Sequence, residues 1–457
     1  MSLVPTAAEL NLLRDALGRL AEGFDDLPDV PEPAVDERTR EVLLSVAERT
    51  HDNYPYHHPL YAGQMLKPPH RIAQLSYWLA TCINPNNHAL DGGRASSAME
   101  KEAVANIAAM FGMPEHLGHL TSGGTMANLE ALFIAGQEID GVVLASSQSH
   151  YTHSRISGVL RLPFESVAVD ERARMDLDAL EARLKQGGVS VVVATLGTTA
   201  LGAVDPLPEI LALAQQYGAR VHVDAAYGGY FTLSSLLDAE ARAAFDAIAQ
   251  ADSIVIDPHK HGLQPYGCGC VLFRDPQVGR HYSHDSPYTY FSSDELHLGE
   301  ISLECSRAGA SAVALWATQQ LLPMERGGEF AQDLDRGLQA AREFHAWIEG
   351  EDAWQALLPP QLDILAFSVR QPDVVNAGVL NQKMFQAAAE QDLHIAVARL
   401  PRELMAPWSG GMEWNEDTIA VLRTCLMKPE HADWLPELQS RLEATRAAVL
   451  ATPAADS

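Results

Sequence analysis

A lysine and an aspartate follow two short apolar segments of this 457-residue chain, and together they could hold a reactive carbonyl cofactor. Lys260 lies in DPHKHG (257–262), directly after the apolar run 253–256, and Asp224 lies in HVDAAYGGY (222–230), at the end of another run. Ligands of α/β sheets bind beyond the strand ends, so both side chains should face one site. A lysine amine can form an imine and a carboxylate can keep a pyridine nitrogen protonated, which is the pair that pyridoxal 5′-phosphate (PLP) needs.

Two further segments strengthen this interpretation, although each also has an ordinary structural explanation. The stretch HLTSGGTMANLEAL (119–132) turns through two glycines into a helix, whose free N–H groups could hold a phosphate. The run 191–206 ends in hydroxyls, of which Thr195 could reach a ring substituent or merely cap a helix. Taken singly, a lysine after a strand is usually solvated and an aspartate there usually caps a turn. Their combination is what favours a cofactor site.

The motifs SGGTMANL, SHYTHSR, ATLGTTALGAVDP, HVDAAYGG, DPHKHG and ECSRAGASAVALW occur in the order found in group II PLP-dependent amino acid decarboxylases. From about residue 57 to 322 the chain resembles this family, the relatives of aromatic amino acid, histidine and glutamate decarboxylases. The resemblance implies decarboxylation of an L-amino acid, aromatic or acidic, to its amine and CO₂. It is much more specific for the family than for the substrate.

The resemblance also implies roles for particular residues. Lys260 resembles the Schiff-base lysine, Asp224 the partner of the pyridine nitrogen, and His150 the histidine that stacks on the ring and assists protonation. His153 is the less favoured candidate for that stacking role, and the role of Arg307 in the ECSR motif stays open. The remaining matches to cofactor-binding positions are Ala226 against the ring, Gly124, Thr125 and His259 at the phosphate, and Thr195 at the polar edge.

In this family two segments build part of the substrate pocket, and two segments of this chain resemble them: HHPLYAGQMLKPPH (57–70) and a loop at about 279–299. The first contributes Tyr61 and Gln64 as candidate substrate contacts. The second contains Tyr282, Tyr288 and Tyr290, and in aromatic decarboxylases a loop tyrosine delivers a proton to Cα. Tyr288 and Tyr290 are the candidates chosen here, although exposed loop tyrosines are common.

Two departures from the better-known animal enzymes make an aromatic substrate an unsafe inference. His261 follows the lysine where those enzymes have tryptophan. This chain also has Gly-Gly-Arg (92–94) in the region that, in those enzymes, precedes an acidic helix. Arg94 could bind a substrate carboxylate, which would favour aspartate or glutamate. A surface or dimer-interface arginine is the preferred alternative for this position.

Other functions compatible with the same motifs were weighed against decarboxylation. An aldehyde synthase would release aldehyde, ammonia and peroxide, and a PLP-fold protein without activity would serve as a binding or regulatory subunit. Transamination and carbon–carbon lyase chemistry are weaker alternatives. His150 and the loop tyrosines favour decarboxylation, while intact Lys260 and Asp224 argue against an inactive protein.

The elements that must position these residues are indicated by an alternation of short apolar runs and helical stretches over about 98–317. This alternation predicts parallel strands joined by helices, with strands at 141–145, 189–195, 221–223, 253–256 and 270–273. A smaller α+β domain is predicted after residue 321. The resemblance implies the α/β, PLP-dependent fold type I (aspartate-aminotransferase-like), with a mainly parallel seven-stranded sheet, and a homodimer whose active site lies at the subunit interface. The expected units are an N-terminal segment that packs on the partner and the active site (1–97), a large PLP-binding domain (98–325), a small C-terminal α+β domain (326–450) and a disordered tail (451–457).

Composition limits the partners of this chain. A formal net charge of −28 disfavours nucleic acid and anionic membranes, which leaves a small-molecule amino acid substrate. The N-terminus does not resemble a secretory signal and the apolar runs are short, so a cytoplasmic protein is expected. The five cysteines are scattered and are expected to be reduced thiols. No metal site is expected, because Cys268 and Cys270 lack a second pair and the group His51, His57, His58 and His70 more plausibly lines a pocket or a surface.

Overall fold

The computed structural model describes residues 3–28, 30–31, 34–282 and 296–451. The loop candidates Tyr288 and Tyr290 and the predicted tail beyond Ala451 lie outside the described residues. Two β-sheets with helices packed around them organise the rest. Among the described residues, no helix combines the length and apolar composition that crossing a bilayer requires.

The first sheet contains seven strands, in the order β1-β7-β6-β5-β4-β2-β3. Their bounds are β1 Leu117–Thr121, β2 Val142–Ser146, β3 Phe164–Val167, β4 Val189–Thr195, β5 Arg220–Asp224, β6 Ser253–Ile256 and β7 Gly269–Phe273. Every residue of β4, β6 and β7 is buried, which explains their continuous apolar sequence. The predicted seven-stranded, mainly parallel α/β sheet is thereby confirmed.

The direction of β7 corrects one expectation. The run 270–273 was expected to be a parallel strand like the others, but β7 runs antiparallel to both β1 and β6. The connection from β6 to β7 (257–268) contains no helix, and a parallel return would need a longer crossover. The chain therefore reverses directly after the segment that carries Lys260.

The helices around this sheet and the N-terminal helices have the following bounds: α1 Ala7–Glu22, α2 Glu37–Arg49, α3 Arg71–Thr81, α4 Arg94–Met110, α5 Gly124–Glu138, α6 Thr152–Leu160, α7 Leu177–Leu184, α8 Leu207–Tyr217, α9 Ala239–Asp246 and α10 Gly309–Leu321. Helix α5 packs on β6 and β7, and α4 packs along β1. The helix that follows the glycine turn is therefore held directly against the strands that surround the lysine segment.

A smaller antiparallel sheet follows in the C-terminal part, in the order β10-β11-β9-β8. Its strands are β8 Trp354–Ala356, β9 Ile364–Val369, β10 Ala396–Pro401 and β11 Thr418–Cys425, and its helices are α11 Glu329–Gly350, α12 Val374–Ala388, α13 Arg402–Met405 and α14 His431–Ala451. These elements confirm the predicted α+β character of this region. The exact domain boundaries stay a prediction.

The segment before α3 packs against this C-terminal region without forming regular structure of its own. The Ala62 N–H donates to the His394 carbonyl at 2.8 Å, and the buried Lys428 ammonium donates to the Tyr61 carbonyl. Backbone groups that have no helix or sheet partner are satisfied by these contacts. The segment is thus held against the C-terminal region.

Asp205 fixes the end of β4 and gives a test of this arrangement. Its two buried carboxylate oxygens accept the Thr195 N–H and the Met175 N–H, each at 2.7 Å. Replacing Asp205 with alanine leaves both donors buried without an acceptor, so we expect a loss of about 2–4 kcal/mol in unfolding free energy, measured by denaturant titration. The exposed Asp178→Ala is the control and should change stability by less than about 0.5 kcal/mol. Equal stabilities for the two variants would contradict the assigned role.

Candidate active site

The ends of β4, β5 and β6 and the start of α5 enclose a cavity of about 350 Å³. Strand register brings these ends together, because Thr195 pairs with Asp224, and Asp224 pairs with Val255 two residues before Asp257. All eight residues that the sequence predicts for cofactor binding line this cavity: Gly124, Thr125, His150, Thr195, Asp224, Ala226, His259 and Lys260.

The Lys260 amine lies at one side of the cavity, paired with a carboxylate from its own segment. Its Nζ is 3.0 Å from Asp257 Oδ2, and the lysine side chain is mostly buried. Burial opposes a charge on Lys260, but attraction to Asp257 and then to Asp224 outweighs it and raises the pKa of the amine. Lys260 is therefore an ammonium in the structure, held between two carboxylates.

The Asp224 carboxylate is another charged group of the cavity, and three donors hold it. His153 Nε2 lies 2.8 Å from Oδ2, Asn128 Nδ2 donates to the same oxygen at 3.4 Å, and the Ala226 N–H donates to Oδ1 at 3.1 Å. Burial by itself would raise the pKa of Asp224, but the hydrogen bond and charge of His153, with attraction to Lys260, reverse this and hold that pKa well below its usual range. Asp224 is therefore a buried carboxylate that stays ionised.

The two histidines of the SHYTHSR motif have separate positions. His150 lines the cavity, and burial lowers the pKa of its ring, so the ring is neutral at neutral pH. His153, the less favoured of the two for stacking, is fully buried in α6 and contacts Asp224. The sequence therefore offered two histidines three residues apart, and the fold separates them into a cavity residue and a supporting residue.

Asn128 and His222 complete the support of Asp224, and sequence reasoning missed both. His222 Nε2 lies 2.8 Å from Asn128 Oδ1, and His222 Nδ1 lies 2.8 Å from Ser253 Oγ. Burial lowers the pKa of His222 to about 3, so its ring is neutral. Asn128 lies in the motif SGGTMANL, and His222 is the first residue of HVDAAYGG. Their position inside these motifs is the signal that could have identified them.

A glycine turn at the start of α5 forms the opposite wall. Helix α5 begins after Gly123 with no side chain capping its first N–H groups. A Cβ on Gly124 would lie 2.6 Å from Asp257 Oδ2, so only glycine fits there. His259 lies beside this turn, with its Nδ1 2.8 Å from the Cys268 carbonyl oxygen. Uncapped N–H groups at a helix N-terminus are suited to an anion such as a phosphate.

Thr195 presents the remaining polar group. Its backbone N–H is bound to Asp205, but its buried Oγ1 has no hydrogen-bond partner among the described residues. Buried hydroxyls normally find partners. A hydroxyl that faces a cavity without one is available to a bound molecule.

The three candidate substrate residues that the structure describes, Tyr61, Gln64 and Arg94, are not among the residues that line this cavity. Tyr61 is buried against the C-terminal region, with its ring 6.0 Å from that of His394 and the Lys428 ammonium over its face at 5.2 Å. Gln64 is exposed, and so is Arg94 at the start of α4, so neither lines the cavity described here. The N-terminal segment instead contributes Met65.

Tyr282 is also placed away from the cavity. Its ring lies in the hydrophobic core under α5, with ring centroids 6.2 Å from Phe133 and 6.3 Å from Phe273. Burial raises the pKa of this phenol far above its usual range. Of the three loop tyrosines, Tyr282 is therefore a core residue, and the other two lie outside the described residues.

A family model described as the pyridoxal-dependent decarboxylase conserved domain matches residues 137–370, just over half of the chain. The chain belongs to the pyridoxal-dependent decarboxylase family, as its motifs predicted. It is a carboxy-lyase whose cofactor is PLP.

Similar proteins support this family and show the fold. L-tyrosine decarboxylase of Enterococcus faecium is 28% identical, with 84% of this chain and 80% of the relative covered. L-2,4-diaminobutyrate decarboxylase of Acinetobacter baumannii is 30% identical, with 68% of each chain covered. A crystal structure of Oryza sativa TDC with PLP and tryptamine superimposes with a TM-score of 0.78 at 18% identity, over 98% of this chain and 99% of that one.

The residues of the cavity fit PLP. The uncapped start of α5 suits the phosphate, the unpartnered Thr195 hydroxyl suits a ring substituent, and the Asp224 carboxylate suits a pyridinium N–H. Lys260 offers the amine that the cofactor's carbonyl requires. Charge, hydrogen bonding and reactivity thus agree with the cofactor of the family.

His153 gives a test of how Asp224 is kept ionised. In His153→Leu the carboxylate stays buried but loses its strongest partner, so its pKa should rise and the acid limb of the pH profile of kcat should move to higher pH. His345→Leu replaces another buried histidine, in α11, and should leave the limb in place. An unchanged limb in a folded His153→Leu enzyme would show that His153 does not control Asp224.

Proposed function

We propose that this enzyme removes the α-carboxylate of an L-amino acid, aromatic or acidic, and releases CO₂ and the amine, with its cofactor carried as a Schiff base on Lys260. One observation carries the proposal: Lys260 and the ionised Asp224 open into the same cavity, beside an uncapped helix start. A lysine and an aspartate with only structural roles would not be expected to face one cavity together.

Each charged group has a proposed task. The Lys260 amine attaches the cofactor, which requires the ammonium to lose a proton first. Asp224 holds the proton at the pyridine nitrogen, because a carboxylate that stays ionised in a buried site attracts that proton strongly. When bound, PLP supplies an electron sink for the pair of electrons that departing CO₂ leaves behind.

His150 is proposed to lie against the cofactor ring and to return a proton to the substrate carbon. A neutral, half-buried imidazole in the cavity can stack without repelling a protonated ring, and for the second task it would first take up a proton and then pass that proton to the carbon. Its retention supports simple decarboxylation over the oxidative route of an aldehyde synthase.

A buried arginine favours an acidic substrate over an aromatic one. Arg423 of β11 donates through Nε to the Ala200 carbonyl and through Nη1 to the Gly63 carbonyl, while its buried Nη2 has no partner among the described residues. Along the chain these carbonyls lie one residue from Thr199 and two residues from Met65, both of which line the cavity. Arg423 itself is not among the residues that line the cavity. We propose that its unpaired Nη2–H, next to these lining segments, binds a side-chain carboxylate of the substrate.

A homodimer is also proposed. No residue of α1 or α2 is buried within the chain, yet α2 exposes several large apolar side chains, Val42, Leu43, Leu44 and Val46. Large apolar side chains exposed this close together are typical of an interaction surface. Packing of the N-terminal segment on the partner subunit, as predicted for 1–97, would cover these side chains.

Two variants test the cofactor assignment. Lys260→Ala should lose the visible imine absorbance of the purified enzyme together with its activity. Asp224→Ala should keep the absorbance but lose at least about 100-fold in kcat with little change in KM, because the interaction with Asp224 strengthens as charge develops. Imine absorbance that persists in Lys260→Ala, or normal turnover in Asp224→Ala, would contradict the assigned roles.

A substrate screen tests the reaction and the pocket. The PLP-loaded enzyme is offered common amino acids and 2,4-diaminobutyrate while CO₂, amine, ammonia and peroxide are recorded together. We expect CO₂ with an equal amount of amine from aspartate or glutamate, and a raised KM for that substrate in Arg423→Lys. Aromatic substrates with an unchanged KM in Arg423→Lys would reject the acidic pocket, and ammonia with peroxide would identify an aldehyde synthase.

A further inference from the structure

The glycine turn at the start of α5 follows a strand that has a neighbour on one side only. Strand β1 is the edge of the seven-stranded sheet and pairs with β7, where Leu120 lies opposite Cys270. Backbone groups on the open side of an edge strand need other partners. The partners of these backbone groups therefore fix the position of the chain where it enters the turn from Ser122 to Thr125.

A buried ion pair supplies those partners at Leu120. Glu100 Oε1 accepts the Leu120 N–H at 3.0 Å, and Arg307 Nη1 donates to the Leu120 carbonyl. The two side chains also bind each other, with Arg307 Nη1 2.9 Å from Glu100 Oε1. The Glu100–Arg307 pair therefore takes the place of a neighbouring strand just before the turn.

Burial makes the Glu100–Arg307 pair costly to break. The side chains of Glu100 and Arg307 are only 2% and 7% exposed, and Glu100 Oε2 accepts a further bond from Asn87 Nδ2 at 2.6 Å. Removing one member would leave the other as an unpaired buried charge. A third contact, from the Ser122 N–H to Glu304 Oε2 at 2.9 Å, holds the first residue of the turn itself.

Behind the turn lies a space that packed side chains do not fill. A cavity of about 270 Å³, lined by Leu120, Ser122 and Arg307, shares Ser122 and Tyr266 with the cofactor cavity. Two buried Arg307 nitrogens, Nε and Nη2, have no hydrogen-bond partner in the described part of the chain. Because packing does not support the turn on this side, hydrogen bonds must set its position.

We propose that the Glu100–Arg307 pair is a positioning device for the phosphate-binding turn at 122–125, and that it sets the share of cofactor affinity which comes from the phosphate. This inference rests on the proposed role of that turn in holding PLP. Arg307, whose motif had no assigned role, is a positioning residue that acts through the backbone of Leu120.

The test compares PLP with pyridoxal, which carries the same aldehyde and ring but no phosphate. Both are titrated into cofactor-free enzyme, and binding is read from the imine absorbance and from quenching of protein fluorescence. We expect Arg307→Met to weaken PLP binding by at least about tenfold, equivalent to losing one charge-assisted hydrogen bond, while pyridoxal binding stays unchanged. Arg307→Lys keeps one donor and the charge, so it should recover part of the loss, and Glu100→Gln should behave like Arg307→Lys.

Controls separate positioning from general damage. Phe344→Leu, a core change in the C-terminal region, should lower thermal stability and leave the ratio of PLP to pyridoxal affinity as in the wild type. Equal losses for both ligands in Arg307→Lys and Glu100→Gln, or unchanged PLP affinity in either folded variant, would overturn the proposal. Wild-type enzyme that binds PLP no better than pyridoxal would instead reject the phosphate turn on which the proposal rests.

Discussion

The parallel register of β4, β5 and β6 is the constraint on which the site depends. It sets Thr195 beside Asp224 and brings the lysine segment next to both, although 65 positions separate Thr195 from Lys260 in the sequence. Parallel strands bring their carboxyl ends to one edge, and the antiparallel β7 then returns the chain beneath the glycine turn. The cavity is the place where these connections meet.

Burying charge at this edge imposes a second requirement. Asp224 and Asp257 are both buried beside one ammonium, and carboxylates lose most of their hydration when they are buried. The structure compensates with dedicated donors: His153 and Asn128 hold Asp224, and His222 holds Asn128. A buried polar contact also supports β1, where Arg307 and Glu100 bind each other, so the strands around the cavity are held by polar contacts as well as by apolar packing.

Several elements could be predicted from sequence because burial leaves a clear pattern. The runs 189–195 and 253–256 match β4 and β6, whose residues are covered on both faces. The short strands β3 and β8 were missed, since three or four residues with mixed exposure carry no such signal. The direction of β7 could not be predicted either, because a buried apolar run has the same composition in both orientations.

The sequence by itself determined the family, the cofactor and the group of residues around the cavity, because these lie in contiguous motifs whose chemistry is local. Only the tertiary structure decided that His153 contacts Asp224 while His150 faces the cavity, that Tyr282 is a core residue and that Arg94 is exposed. It likewise joined Arg307 to Leu120, 187 positions away. Such contacts depend on how separate elements pack, and side-chain direction across a packed interface is not encoded in the spacing of residues along the chain.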